Sequence, residues 1–165
     1  MVEEKNKQEN QERTAKAKDR TIANNAGQGN EIVLEGKNII LGRLCSFAAK
    51  QALLGKNIVI VNCNDVLVSG NRENILREYS RIRKLDTLNL RGPILPKVPE
   101  KIVKRTVRGM LSYKQARGYE AWKRVMCYNS LPTKYESAKK LVLKESSLEN
   151  KNVKTMALKE VARLI

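Results

Sequence analysis

The chain has 165 residues, a net charge of +16 and a pI of about 10.0, so its expected partner is nucleic acid first, an anionic membrane surface second and an acidic protein third. Its 41% hydrophobic content excludes wholesale disorder and predicts one domain with a tail, whereas 4% aromatic residues argue against a module that works mainly by stacking bases. The chain has no histidine, which removes the commonest general base. It has no run of about 18 apolar residues and no apolar leader, so neither a transmembrane helix nor a secretory signal is predicted.

The first 30 residues are predicted to form a flexible polar extension. They contain six basic and five acidic residues, few apolar side chains, and a polar run at 24–30. Such a segment cannot bury enough apolar surface to fold alone. A segment that orders on a partner and a tail without a role both fit this composition.

Strands and helices alternate in the next part of the chain. Strands are predicted at 32–34, 57–63 and 65–68, and the run 57–63 is apolar and β-branched without alternation, which suits a parallel strand buried on both faces. A helix opens at Gly42-Arg43 and stops at Gly55. This βαβ-type order predicts an α/β sandwich.

The middle of the chain is predicted to hold two helices joined by a long loop. The first helix runs over 72–84 with Asn71 as its N-cap, and the loop over 85–98 contains two prolines. The second helix runs over 99–112 and has one apolar and one basic face. Long ordered loops in compact domains are usually functional, so the loop is a candidate binding element.

The C-terminal part is predicted to contain a helical turn at 119–124, a strand at 125–128, a turn at Leu131-Pro132 and a terminal helix over 154–165. Together the predicted elements divide the chain into an extension, an α/β domain and a C-terminal helical tail, at 1–30, 31–143 and 144–165.

Positive charge is concentrated in the span 72–124. This span holds fifteen basic and five acidic residues, and therefore +10 of the net +16. Surface charges are often merely solvated, but such concentration favours a binding surface, because each Lys or Arg near a phosphate releases condensed counterions. The basic face of the second helix carries Lys101, Lys104, Arg105 and Arg108.

The sequence offers no motif for catalysis or cofactor binding. The turns at Gly36-Lys37 and Gly42-Arg43 fit no P-loop, although a helix N-terminus beside Arg43 is an alternative phosphate site. No acidic pair has a catalytic spacing, and no serine has a histidine to activate it. The cysteines lack CxxC spacing and are expected to be reduced and partly buried: Cys45, Cys63 and Cys127. We therefore expect no cofactor, no metal and no small-molecule substrate.

Short motifs follow one another in a recognisable order: Leu41-Gly42-Arg43-Leu44, the strand 59–63, Ser69-Gly70, Arg91-Gly92-Pro93, Pro99, Arg108-Gly109-Met110-Leu111, Lys114-Gln115-Ala116-Arg117-Gly118, Leu131-Pro132 and Tyr135. In this order the chain resembles the universal large-subunit ribosomal protein thirteen family, in its eukaryotic/archaeal form, over about residues 32–136. It departs at Tyr113, where eukaryotic members often have histidine, and after Leu143, where the chain is shorter than usual.

The resemblance implies a three-layer α/β/α sandwich with a mainly parallel four-stranded sheet, plus basic loop and helical extensions. It implies a non-enzymatic structural constituent of the large ribosomal subunit, located in cytoplasmic ribosomes and assembled in the nucleolus if the source is eukaryotic. Its partners would be large-subunit ribosomal RNA and neighbouring ribosomal proteins, with no membrane contact. The candidate RNA-binding residues are Lys37, Arg43, Arg72, Arg81, Arg83, Lys84, Arg91, Gly92, Pro93, Lys97, Lys101, Lys104, Arg105, Arg108, Lys114 and Arg117.

Two other classes of protein stay open at this point. An RNA-modifying or nucleotide-handling α/β enzyme would need a cofactor loop or an acid/base set. A DNA-binding regulator would prefer duplex DNA, act as a dimer and need a helix-turn-helix.

Overall fold

The computed structural model of the protein describes residues 31–84, 95–143 and 153–165. Residues 32–165 belong to one compact unit. Its strands are β1 (Glu31–Glu35), β2 (Asn57–Val61), β3 (Leu67–Ser69), β4 (Val125–Cys127), β5 (Lys140–Leu141) and β6 (Thr155–Ala157). Its helices are α1 (Leu41–Leu53), α2 (Arg72–Lys84), α3 (Pro99–Gly109), α4 (Ala116–Lys123) and α5 (Leu158–Leu164).

A parallel sheet of four strands in the order β4-β2-β1-β5 forms the middle of the unit. Alternate side chains of its central strands point to opposite faces, and both faces are buried. Leu34, Ile58 and Ile60 pack beneath α1, α3 and α4 in the main core. Val33, Val59 and Val61 pack on the other face against Tyr135, which ends the 3-10 helix Thr133–Tyr135. The predicted three-layer α/β/α sandwich is confirmed.

Helix α1 is the best-buried helix, and its sequence explains both its packing and its end. Its apolar residues recur at helical spacing and are buried along one stripe. At its C-terminus, Gly55 adopts φ +89 and donates its N–H to the carbonyl of Ala52, while Lys56 donates to Gln51. These two bonds form a Schellman motif, so the predicted stop at Gly55 is confirmed.

The predictions for the shorter strands needed correction. The third strand spans Leu67–Ser69 rather than 65–68, because Cys63–Asp65 form a 3-10 helix first. It pairs antiparallel with β6 in a separate two-stranded sheet. The fourth strand of the main sheet is instead β5, which was not predicted.

The prediction of a helix over 154–165 was wrong in its first four residues. Thr155–Ala157 is a strand, and helix α5 begins only at Leu158. The backbone N–H of Leu158 donates to the carbonyl of Val66, and its side chain is fully buried in the main core. The end of the chain is thereby joined to the centre of the fold.

Other boundaries agree closely with the sequence-based predictions. Helix α2 spans the predicted residues 72–84, and α3 begins at Pro99 but ends at Gly109, three residues early. The extension at 1–30 and most of the loop at 85–98 lie outside the described residues. In the part of the chain that the structure describes, no helix is long and apolar enough to span a bilayer.

Candidate nucleic-acid interface

Helix α3 divides into an apolar and a basic stripe. Ile102, Val103 and Val107 are buried in the main core. The four basic side chains recur at i, i+3, i+4 and i+7, so they lie on one face of the helix. The apolar stripe therefore fixes the direction in which the basic stripe points.

A side chain from outside α3 holds the N-terminus of this helix. Its N-cap residue, Val98, has no side-chain acceptor, so the first backbone N–H groups need other partners. The amide side chain of Asn129, just beyond β4, accepts the N–H of Glu100 at 3.0 Å. This bond ties the helix to the edge strand of the sheet.

The basic stripe lines a surface groove with a volume of about 280 Å³. Lys101, Lys104, Arg105 and Arg108 contribute four cationic side chains, and Pro96 and Trp122 contribute apolar surface. Within the described residues, none of these four cations forms an ion pair with a carboxylate. We call this site the α3–α4 groove.

Aromatic rings lie next to the cations of this region. The ammonium of Lys104 lies 5.4 Å from the ring centroid of Trp122, and the guanidinium of Arg108 lies 5.2 Å from that of Tyr113. Tyr119 packs against Trp122 with a centroid distance of 5.9 Å. The Lys123 ammonium lies 4.5 Å from the Tyr119 centroid. These distances fit cation–π contacts and a tilted ring pair.

Sequence reasoning did not predict Tyr119 or Trp122 as part of the site, and it named Tyr113 only as a departure from the family. It weighed the overall aromatic content, which is low, and not the position of the rings. A usable signal was present, because three of the seven aromatic residues fall within positions 113–122, between the basic residues.

Two of the predicted residues lie where α3 leads into α4. Lys114 is in the connecting turn and Arg117 is in the first turn of α4, and both are exposed. Gly118 is buried, and a Cβ atom at this position would overlap with the carbonyl oxygen of Ser112. The same carbonyl accepts the N–H of Gln115 at 2.9 Å. Close approach at Gly118 therefore sets the path of this turn.

The predicted residues of α2 have partners within the protein. Arg81 forms a bidentate pair with Glu78 at 2.6 and 3.1 Å, and the hydrogen bond from Arg81 lowers the pKa of that carboxyl. Arg72 lies 3.7 Å from Glu160. Arg83 donates to the main-chain oxygen of Ile165. Exposed pairs of this kind are weak and can exchange for a phosphate, but they make these side chains less available than the α3 stripe.

The remaining candidates are dispersed. Lys37 is exposed in the turn after β1, and Arg43 is exposed in the first turn of α1. Lys97 and Lys84 are also exposed. The described part of the groove contains none of these four side chains. The predicted loop contacts lie outside the described residues: Arg91, Gly92 and Pro93.

The cysteines are suited to packing rather than to chemistry. Cys45 and Cys63 are fully buried, and Cys127 is half-buried. Burial raises the pKa of the Cys45 thiol to about 12, and a hydrogen bond with Cys127 together with burial raises the pKa of Cys63. Raised pKa values keep both thiols protonated near neutral pH, where only a thiolate would be nucleophilic. Among the described residues, no group of three or more acidic or Cys side chains is placed to hold a metal ion.

The sequence matches a known protein family, in agreement with the observed fold. The family model for ribosomal protein L13 matches residues 29–134. Large ribosomal subunit protein uL13 of Methanosarcina barkeri is 39% identical over 117 residues, which cover 70% of this chain and 83% of the relative. The protein of the same name from Natronomonas pharaonis is 40% identical over 134 residues, which cover 80% and 88%. That from Methanococcoides burtonii is 42% identical over 106 residues, covering 64% and 76%. The chain therefore belongs to the ribosomal protein L13 family and is of the archaeal type, in agreement with the eukaryotic/archaeal form that its motif order predicted.

Proposed function

We propose that this protein is a structural component of the large ribosomal subunit and that it binds large-subunit ribosomal RNA mainly through the α3–α4 groove. Membership of the ribosomal protein L13 family supports the first statement. One observation carries the second. Four cations are held on one helix face by a buried apolar stripe, and no carboxylate of the described residues neutralises them.

Such a surface suits the RNA backbone. Fixed Lys and Arg side chains displace condensed counterions, which gives affinity without a base code. Double-stranded RNA is recognised by its shape, its phosphates and its 2′-hydroxyls, because its major groove is too narrow for side chains. The basic stripe of α3, Lys114 in the following turn and Arg117 at the start of α4 would then hold the phosphates of neighbouring RNA helices together.

The other predicted contacts extend this surface. The Arg91-Gly92-Pro93 loop would enter the RNA, with Gly92 allowing close backbone approach. Lys37, Arg43, Lys97 and the basic residues of α2 would add peripheral phosphate contacts. In the ribosome the domain at 31–143 would be the RNA-binding part, with the 1–30 extension and the 144–165 segment available to neighbouring ribosomal proteins.

The enzyme and regulator alternatives lose their support. Proteins of ribosomal families are structural components, and this one is not an enzyme. A DNA-binding regulator is not favoured by any observation on the fold. The protein acts at the ribosome. If its source is eukaryotic, assembly would begin in the nucleolus.

The first test reverses one charge in the groove. Arg105→Glu is expected to reduce co-sedimentation of the tagged protein with large subunits, and to lower the salt slope of RNA binding by about 0.7–0.9, the value for one lost phosphate contact. Lys159→Glu is the matched control, because Lys159 is exposed on α5 and lies outside the groove. Equal incorporation and equal salt slopes for the two variants would remove the groove from the RNA-binding surface.

A further inference from the structure

The apolar part of the α3–α4 groove has no use in binding a paired RNA helix. A duplex presents phosphates and 2′-hydroxyls to a protein and keeps the faces of its bases stacked inside. Pro96 and Trp122 offer apolar surface beside the stripe of four cations. Phosphate binding explains the cations, and it leaves the exposed part of Trp122 unexplained.

The dimensions of the groove suit one small ring system. Its volume of about 280 Å³ lies just below the range of about 300–1,000 Å³ typical of small-ligand sites. Single-stranded regions of RNA can turn a base outward, and such bases stack on aromatic side chains and on arginine planes. Within an RNA strand each base has an aromatic face and is flanked by two backbone phosphates, which matches apolar surface beside a stripe of cations.

A base can replace the Lys104 ammonium over the ring of Trp122. The Lys104 ammonium now lies 5.4 Å from the ring centroid. Lysine has a flexible four-carbon stem, so its ammonium can swing to a phosphate when a base takes its place over the ring. Tyr119 supports Trp122 from the side at 5.9 Å between centroids, which limits the orientations of the indole.

We propose that the α3–α4 groove binds one unpaired, outward-turned nucleotide of the RNA, with its base on Trp122 and Pro96 and its flanking phosphates on Lys101 and Arg105. This inference rests on the proposed RNA-binding function and adds a single-stranded component to it. Trp122 is the base-contacting residue, and Lys104 is the cation that the base displaces.

The protein contains its own reporter, because Trp122 is the only tryptophan in the chain. The full chain is titrated with a short single-stranded RNA and with a strand of equal length whose nucleotides are abasic, so that both carry the same number of phosphates. We expect the base-containing strand to quench the tryptophan fluorescence and to bind roughly tenfold more tightly than the abasic strand. Equal affinity and equal quenching for the two strands would overturn the inference.

Variants separate stacking from charge. Trp122→Leu is expected to remove the preference for the base-containing strand, measured by anisotropy of a labelled RNA, whereas Trp122→Phe keeps an aromatic face and most of the preference. The comparison of the two strands on the unchanged protein still decides the question if Trp122→Leu does not fold.

The outcomes also separate the two proposals. If both strands bind equally and Arg105→Glu weakens both, the groove binds phosphates alone, so the proposed function stands and the nucleotide site is rejected. If neither strand binds and Arg105→Glu does not change incorporation into large subunits, both proposals are rejected.

Discussion

Gly118 is the residue at which the chain is least tolerant of a side chain near the groove. A methyl group added at Gly118 would overlap with the carbonyl group of Ser112, which is backbone and not a movable side chain. Gly118→Ala is therefore expected to destabilise the protein by about 1–3 kcal/mol, the usual cost of overpacking. Urea unfolding measures this as a lower midpoint.

Gly109→Ala is the matched control for this substitution. Apart from its chain neighbours and the backbone of its own helix, no described atom lies within 4 Å of a Cβ atom at Gly109, the last residue of α3. Alanine there should be neutral or stabilising by up to about 1 kcal/mol, because it reduces the entropy of the unfolded chain. Similar midpoints for both alanine variants would show that the turn moves freely and that Gly118 does not set its path.

The residues of the groove show which part of a site a sequence can reveal. Lys101, Lys104, Arg105 and Arg108 were predicted together because helical periodicity alone places them on one face. Trp122 was not predicted, because its proximity to Lys104 depends on how α3 and α4 pack and not on their spacing in the chain. A low aromatic content also says nothing about where the few rings lie.

At the scale of the elements, the stability of α3 depends on a cap that is distant in sequence. Asn129 accepts the N–H of Glu100, and this bond takes the place of a local N-cap side chain. Asn129→Ala is expected to destabilise the protein by about 1 kcal/mol, the typical cost of losing a cap, as measured by urea unfolding.

Asn71→Ala provides the comparison for the cap. Asn71 precedes α2 as predicted, and its carbonyl accepts the N–H of Ile75. Its side chain makes no capping hydrogen bond to the described residues. We therefore expect a smaller loss of stability than for Asn129→Ala. A larger loss at Asn71 would mean that the distant bond does not cap α3.

Helices and strands whose own residues show a clear pattern were predicted well. Strands that form only because they pair with a distant strand were not. Helix α2 has an apolar stripe, and β2 is a continuous β-branched run, so both are visible in a short window. Strand β5 has only two residues, and it is a strand because it pairs with β1. Thr155–Ala157 has the composition of a helix start, but pairing with β3, far away in the chain, makes it a strand.

At the scale of the whole molecule, positive charge is not equally available on all surfaces. Three basic residues of α2 are paired: Arg81 with Glu78, Arg72 with Glu160 and Arg83 with the main-chain oxygen of Ile165. Those of α3 contact aromatic rings or solvent in the part of the chain that the structure describes. A net charge of +16 attracts RNA from any direction, whereas the RNA-binding face that we propose is the one whose cations have no carboxylate partner among the described residues.

Leu158 tests whether the end of the chain is a tail or a part of the core. Its side chain is fully buried with residues of α1, α3 and the main sheet, although the sequence predicted a helical tail from residue 144. Leu158→Ala is expected to cost about 2–5 kcal/mol, the range for removing a buried leucine side chain, and to shift the midpoint of a single unfolding transition.

Leu164→Ala is the control for Leu158→Ala, because it truncates an exposed leucine on the same helix. Leu164 lies on α5 but is 48% exposed, so its truncation should change the free energy of unfolding by less than about 0.5 kcal/mol. Urea unfolding followed by Trp122 fluorescence compares the two variants, and Trp122 reports from α4, outside the substituted helix. If both variants unfold at the midpoint of the unchanged protein, α5 unfolds apart from the sheet and the end of the chain is a tail. A large loss for Leu158→Ala alone means that α5 and the helices around the groove unfold together, so that a change in α5 also weakens the proposed RNA-binding face.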